Sequence, residues 1–212
     1  MNAVLISIRP EWVKKILDGE KTVEVRKTAP KLTPPFKCYI YSTLSGSNEL
    51  FRDILNGDVA EWNRGKWADR KGNVVAEFTC DRVDQHTAAC LVVKEDRERF
   101  TAGSCLTASE IRDYVRGGRT TFNLAELPDF YCWHISDLKV YEKPKPLNWF
   151  ATEGDCDCMN CKKCGWFNKG NGYNVEDDCD LGYENIGRET PLKPVLRAPQ
   201  SWCYVEDLVK DG

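Results

Sequence analysis

The alternation of apolar and polar residues at the start of the chain predicts a strand, a short helix and a second strand. Residues 4–9 alternate with a period of two, which is typical of a half-buried strand. Residues 10–19 begin with a proline, place apolar side chains at helical spacing and end at Gly19. Residues 22–26 alternate again, with the two valines on one face and Glu24 and Arg26 on the other.

The rest of the pattern predicts more strands than helices. The predicted strands are residues 36–43, 74–83, 130–141 and 201–205, with a weaker candidate at residues 91–93. Helices are predicted over residues 48–57 and after Thr107, where Thr107 and Glu110 match a capping box. Because most connections are too short for parallel crossovers, we expect an α+β fold whose mixed sheet curls toward a small barrel flanked by short helices.

Length and composition are those of a globular chain. The 212 residues are 42% hydrophobic and 30% charged, which excludes a fibre or a disordered tail. The apolar runs are too short for a transmembrane span and no stretch has the flanks of a signal peptide. We therefore expect one domain over residues 1–212, in the cytoplasm and without a membrane partner, with a cysteine-rich insertion at residues 152–190.

Charge is distributed unevenly along the chain. The formal net charge is −3, so binding to duplex DNA over the whole surface is not expected. Residues 1–31, however, hold seven Lys or Arg and four Asp or Glu. The N-terminal part is therefore locally basic and suits an anionic ligand.

The sharpest candidate site lies in residues 19–26. If the first two strands pair, Arg9, Lys21, Glu24 and Arg26 converge, with two or three cations around one carboxylate. Such a group suits a phosphate, the edge of a base or a carboxylate ligand. An ordinary ion pair on a solvated strand face is the alternative from the residues alone, and such pairs contribute little.

These residues also resemble a known family. The pattern Gly19-x-Lys21-x-x-Glu24-x-Arg26, after a short helix and an N-terminal strand, is similar to the motif of the ASCH family in the PUA-like superfamily. The sequences of residues 7–10, 41–43 and 200–204 fit the same family, and the resemblance covers about residues 3–150 and 195–208. In particular, the chain resembles phage- and prophage-encoded ASCH proteins that carry a cysteine-rich insertion.

The resemblance implies a small β-barrel that binds RNA or a nucleotide-like ligand in a cleft containing Lys21, Glu24 and Arg26. Single-stranded RNA and a modified or extruded base are the expected ligands. Recognition of such ligands also needs stacking and polar groups for base edges. The further candidates for these roles are Arg9, Tyr41, Thr43, Gln200, Ser201 and Trp202.

Catalysis is the competing interpretation. One ASCH branch hydrolyses N4-acylated cytidines with the motif Lys, a Thr three positions later and a distant Glu. This sequence keeps Lys21, has Glu24 at the Thr position, and has no Glu where the distant residue falls, near Gly103 or Ser104. A hydrolase acting on RNA or a modified nucleoside would therefore depend on Lys21 and Glu24 as acid and base.

Cysteine is unusually abundant, with 11 residues. Six are scattered, as expected of small buried apolar side chains. The other five are clustered in a segment with little apolar periodicity, at Cys156, Cys158, Cys161, Cys164 and Cys179.

The spacing of the clustered cysteines predicts a metal site. Cys161 and Cys164 flank two residues, as in a zinc knuckle, and Cys179 with Cys156 or Cys158 would complete a structural zinc site. The metal would then supply the free energy that orders the insertion. An iron–sulfur cluster and free thiols are the alternatives.

The insertion differs from the motif region in charge. Residues 156–190 hold four Lys or Arg and seven Asp or Glu, which makes the insertion a poor phosphate binder. A third possible function is protein binding, with the insertion as the interface. It is an alternative to nucleic-acid binding and to catalysis.

Overall fold

The computed structural model describes residues 3–44, 71–121, 123–154 and 192–207. The strands in this part of the chain are β1 (Ala3–Ile8), β2 (Val23–Arg26), β3 (Phe36–Ser42), β4 (Val74–His86), β5 (Phe130–Lys145), β6 (Phe150–Glu153), β7 (Leu192–Pro194) and β8 (Trp202–Asp207). The α-helices are α1 (Pro10–Leu17), α2 (Lys94–Thr101) and α3 (Ala108–Arg116), and short 3₁₀ turns cover Ala88–Leu91, Leu124–Glu126 and Leu147–Trp149.

The strands form one mixed sheet in the order β2-β5-β4-β3-β1-β8-β6-β7. Its centre is the parallel pair of β1 and β3, and the other pairs are antiparallel. The expected α+β class and mixed sheet are therefore confirmed. Among the described residues the ladder is open between β2 and β7.

The sheet nevertheless bends back on itself. Arg26 lies on the edge strand β2, and its Nη2 atom donates to the backbone oxygen of Ser7 on β1 at 2.6 Å. In the strand order, β1 is four places away from β2. A flat sheet with strands about 4.8 Å apart would separate these residues far more widely, so the sheet is strongly curled.

Most of the predicted elements match the observed ones within a few residues. One prediction is wrong, and another lies outside the described residues. The weak strand at residues 91–93 is wrong, because a 3₁₀ turn ends at Leu91 and Val92 and Val93 lead exposed into α2. The helix predicted over residues 48–57 lies outside the described residues. The capping box is confirmed, since Thr107 and Glu110 exchange the two expected hydrogen bonds at the start of α3.

Three apolar clusters hold the sheet together. The first joins the inner face of β1, β3 and β4 to α1 and includes Trp133 on β5. The second covers the other face of β2 and β5 with α3, and the third lies between β1, β3, β6 and β8. The charged residues of β2 therefore border the first cluster, while Val23 and Val25 belong to the second.

The scattered cysteines behave as the sequence predicts where they are fully buried. Cys38, Cys80 and Cys132 lie in the first two clusters. Burial raises the pKa of the Cys80 and Cys132 thiols to about 12. Both thiols therefore stay protonated at neutral pH and act as apolar groups.

Candidate functional site

The turn between α1 and β2 places Lys21. Gly19 has a φ of +77°, and its N–H donates to Ile16 O where the helix ends. The backbone N–H of Lys21 then returns to the carbonyl of Lys15 at 2.9 Å. A residue with a side chain is disfavoured at such a φ, so the glycine of the motif is needed for the turn that directs Lys21 inward.

The Lys21 side chain is buried and fully engaged. It is 2% exposed, and its Nζ donates to the carbonyl oxygens of Val23 at 2.8 Å and Ser104 at 2.7 Å. Its third neighbour is Glu24 Oε2 at 3.3 Å. Two of the three N–H bonds of the ammonium group therefore have carbonyl acceptors, and the carboxylate of Glu24 supplies an ion pair.

Glu24 and Arg26 meet Lys21 on the same side of β2. Arg26 Nε lies 2.9 Å from Glu24 Oε1, and both side chains are 9% exposed. In the register of β2 with β5, Glu24 lies opposite Trp133, which is fully buried in the first apolar cluster. Lys21, Glu24 and Arg26 therefore form one buried group at the border of the core, called here the charged cluster.

Arg26 links the charged cluster to the opposite side of the curled sheet. Besides its bond to Ser7 O, it donates from Nη1 to Ser201 Oγ at 3.3 Å. Ser7 and Ser201 are themselves joined, since Ser7 N donates to Ser201 O at 2.9 Å. The predicted meeting of residues near both ends of the sequence is thus observed for Arg26 and Ser201.

The charged cluster keeps an imbalance of charge and of donors. Two cations surround one carboxylate, which leaves a formal surplus of one positive charge. Arg26 Nε is close to Glu24, but the N–H direction does not meet hydrogen-bond geometry, and this donor has no acceptor among the described residues. Buried donors normally have a partner, so the cluster is suited to an added acceptor.

Aromatic side chains border the charged cluster on several sides. The Lys21 Nζ atom lies 5.5 Å from the ring centre of Trp12 on α1. Trp202 follows Ser201, and its ring packs against Trp133 with centroids 6.0 Å apart. Tyr114 on α3 is 38% exposed and senses the charges of Arg26 and Glu24, although burial is the main reason that its pKa is raised.

The structure does not bring the remaining candidates to the charged cluster. Arg9 points into solvent beside Glu11, with Nη1 4.0 Å from Oε1. Tyr41 is buried in the third apolar cluster, and Thr43 donates its N–H to Ile8 O at the end of β3. Gln200 is exposed next to Ser201. Ligand contacts by these four residues stay predictions.

Gly103 and Ser104 lie near the position where the resemblance would place the distant catalytic Glu, and Ser104 does contact Lys21. This segment contributes the backbone carbonyl of Ser104, whose side chain is fully buried, and no carboxylate. Lys21 could accept a proton only after losing one that now serves a protein acceptor. No contact in this part of the chain therefore favours catalysis, and the hydrolase stays a prediction.

Sequence reasoning missed several residues that shape the site. Ser7 and Ser104 contribute backbone oxygens, which no residue type encodes, from 19 and 83 positions away. Tyr114 was visible only as one apolar position on the helix after Thr107. Lys27 directly follows Arg26 but is not part of the motif, so no sequence signal pointed to it.

The predicted metal ligands Cys156, Cys158, Cys161, Cys164 and Cys179 lie outside the described residues. In residues 3–44, 71–121, 123–154 and 192–207, no group of three or more His, Cys, Asp or Glu is arranged to hold a metal ion. The zinc site and the protein-binding role of the insertion stay predictions. No helix in the described part of the chain has the length and apolar content that a membrane span requires.

Comparison with known proteins gives similarities in fold. No protein-family model matches the chain, and no curated protein matches it significantly. Among solved structures, the chain is similar to ASCH from Zymomonas mobilis, with 19% identity, 69% of this chain and 74% of that chain covered, and a TM-score of 0.44. A point mutant of that protein aligns at 18% identity over 69% and 77% of the two chains, with a TM-score of 0.45. Both aligned proteins are ASCH proteins, and the motif of residues 19–26 resembles that of the same family; the phage-type subgroup stays a prediction.

Proposed function

We propose that this protein is a PUA-like ASCH domain that binds single-stranded nucleic acid, or a base extruded from a duplex, at the charged cluster. One observation carries the proposal: two buried cations share a single buried carboxylate, and the Nε donor of one of them, Arg26, has no hydrogen-bond acceptor in the described structure. RNA is the expected polymer because of the resemblance of residues 19–26 to the ASCH motif.

Stability alone does not account for this arrangement. Removing ions from water costs several kcal/mol per ion, at the order-of-magnitude level, and buried ion pairs often fail to recover that cost. Here the surplus cation is offset in part by the carbonyl oxygens of Val23, Ser104 and Ser7. A ligand that supplies an acceptor or a negative charge would complete the balance.

The three residues would then have different roles. Arg26 is the donor with spare N–H groups, and its planar fork suits a phosphate or the carbonyl edge of a base. Glu24 is placed to accept from an exocyclic amine. Lys21 is buried, with two carbonyl acceptors and an ion pair to Glu24, so we assign it the positioning of Glu24 rather than direct contact.

The neighbouring aromatic side chains support a nucleic-acid ligand over a small inorganic anion. Trp202 is half-buried directly after Ser201, and Tyr114 on α3 is partly exposed next to Lys27. Bases stack on such rings with about 1–3 kcal/mol each. An anion alone would not need these surfaces.

The test is binding of fluorescent single-stranded RNA and DNA oligomers by anisotropy, over a range of salt concentrations. We expect saturable binding that weakens with salt. Arg26→Gln should reduce affinity about tenfold or more, since a charge-assisted hydrogen bond contributes about 1.5–3 kcal/mol. Lys139→Gln is the control, because Lys139 is 62% exposed on a distant part of β5.

Folding is checked on each variant by its thermal unfolding midpoint, and Arg26→Lys serves as a second variant that keeps the charge but loses the fork. Absence of saturable binding to both polymers would overturn the proposal, as would wild-type affinity in both Arg26 variants. Cleaved or deacylated product that disappears in Lys21→Ala would replace it with the hydrolase.

A further inference from the structure

The segment between β2 and β3 has a distinctive sequence. From Lys27 to Leu44 the chain contains three lysines and no aspartate or glutamate. The chain as a whole has slightly more acidic than basic residues. Residues 27–35, called here the β2–β3 loop, therefore begin one residue after Arg26 as a locally cationic segment.

The β2–β3 loop is held in place along most of its length. Thr28 Oγ1 accepts a hydrogen bond from Trp202 Nε1 at 3.0 Å, and Lys31 N donates to the Tyr204 hydroxyl at 2.7 Å. Pro30 is buried, and Leu32 packs against the first apolar cluster. A loop fixed in this way loses little conformational freedom when it binds a ligand.

Among the described residues, the two lysines of the loop have no carboxylate partner. Lys27 Nζ lies 4.9 Å from the ring centre of Tyr114, and Lys31 is exposed. Neither contacts a carboxylate in the described part of the chain. By contrast, Lys15 and Lys37 have carboxylate neighbours at 3.9 and 3.6 Å.

Aromatic side chains contact both lysine residues, at the ammonium group of Lys27 and at the backbone N–H of Lys31. Tyr114 is next to Lys27, while Trp202 and Tyr204 on β8 hold the middle of the loop, with their rings 5.3 Å apart. Cationic groups alternating with aromatic rings are the arrangement by which proteins follow a single strand without reading its sequence. Lysine suits phosphate here as a compact point charge.

We propose that the β2–β3 loop tracks the backbone of a single-stranded oligonucleotide, with Lys27 and Lys31 each contacting a phosphate while a base of the same strand occupies the charged cluster. This inference rests on the proposed function and narrows its ligand to a polymer with phosphates on both sides of the bound base. A free nucleoside would contact the cluster alone.

The chain offers a matched pair of variants. Lys27→Gln/Lys31→Gln removes two lysines four residues apart, and Lys139→Gln/Lys143→Gln removes two exposed lysines with the same spacing on β5. Affinity for single-stranded RNA and DNA oligomers of equal length is measured against salt. Equal thermal unfolding midpoints confirm that each double variant is folded.

The loop variant should weaken binding at low salt and reduce the slope of log affinity against log salt by about 1.4, at about 0.7 per phosphate contact on a single strand. The reduction should be the same for RNA and DNA because both carry the phosphates. The β5 variant should keep the wild-type slope.

An unchanged slope in the loop variant would overturn the inference, as would the same reduction in the β5 variant or a reduction confined to one polymer. In these cases the effect of Arg26→Gln would persist, and the proposed function would stand. If the wild-type protein binds neither polymer, both proposals fail.

Discussion

Glu24 is the residue on which the charge balance of the site depends. It is the only carboxylate in contact with Lys21 and Arg26 among the described residues, and it lies opposite the buried ring of Trp133. Removing its charge would leave two cations in the core. We therefore expect Glu24 to be needed for a stable fold.

Glu24→Gln should lower the free energy of unfolding by about 3–5 kcal/mol, because breaking a buried pair leaves an uncompensated charge. Urea denaturation measures the change. Glu20→Gln is the control: its side chain is 60% exposed and meets Lys15 only at 3.9 Å, so a loss below about 1 kcal/mol is expected. Equal losses in the two variants would contradict the burial argument.

Residue types alone predicted the core of the site but not its surroundings. Glu24 and Arg26 follow from strand alternation, because residues two apart share a face, and Lys21 follows from the motif and the turn that precedes β2. The carbonyl oxygens of Ser7 and Ser104 follow from nothing in the side chains, since every residue carries one. Arg9 was predicted to join the site on the assumption that the first two strands pair. In the structure, β1 pairs with β3 and β8 instead of β2.

At the scale of elements, the turn after α2 holds the start of β2. The Gly103 carbonyl accepts from the N–H groups of Thr22 and Val23, at 2.7 and 2.9 Å, while Ser104 O binds Lys21. Gly103 has a φ of +72°, and a Cβ there would lie 2.3 Å from Thr22 Oγ1. The turn therefore positions the motif lysine from outside the motif.

Gly103→Ala should destabilise the protein more than Gly19→Ala. Both glycines have positive φ, for which a side chain costs about 1–2 kcal/mol, but an added Cβ at Gly19 meets nothing within 4 Å. The clash at Thr22 should add about 1 kcal/mol or more at Gly103. Denaturant unfolding of the two variants measures the difference, and equal losses would show that the turn yields without displacing β2.

Sequence patterns located elements where one physical signal dominates. The capping box fixed the start of α3 because two side chains and two backbone groups satisfy each other there. The strand predicted over residues 91–93 is wrong. Its β-branched residues suggested a strand, but Val92 and Val93 are exposed in a turn and are not paired in a sheet. The charged sequence of α2 offers no apolar stripe from which a helix could be predicted.

At the scale of the molecule, strand counting predicted the α+β class, because many strands with short connections require a mostly antiparallel sheet. The strand order was beyond the sequence. The central pair β1–β3 is parallel, and β5 inserts between β2 and β4. The order and direction of strands depend on which strand and helix faces pack against each other in the folded core, and this is not encoded locally.

The cysteine cluster predicts a measurable metal content for the whole chain. We expect purified protein to contain about one equivalent of zinc and no iron, because a structural site needs four ligands and five cysteines are close in sequence. Elemental analysis of the intact protein tests this. Less than roughly half an equivalent of zinc, in the absence of iron, would leave the thiols without a metal.

Arg26 joins β2 to Ser201, which lies 175 positions further along the chain. While the ribosome is still translating the intervening residues, the guanidinium has no serine to reach and β1 lacks β8 as a neighbour. The motif would thus be complete in sequence before the contacts of Arg26 with Ser201 and of β1 with β8 can form. If the charged cluster is the binding site proposed above, it would become complete only once β8 has been made, and a copy still lacking β8 would not bind the ligand.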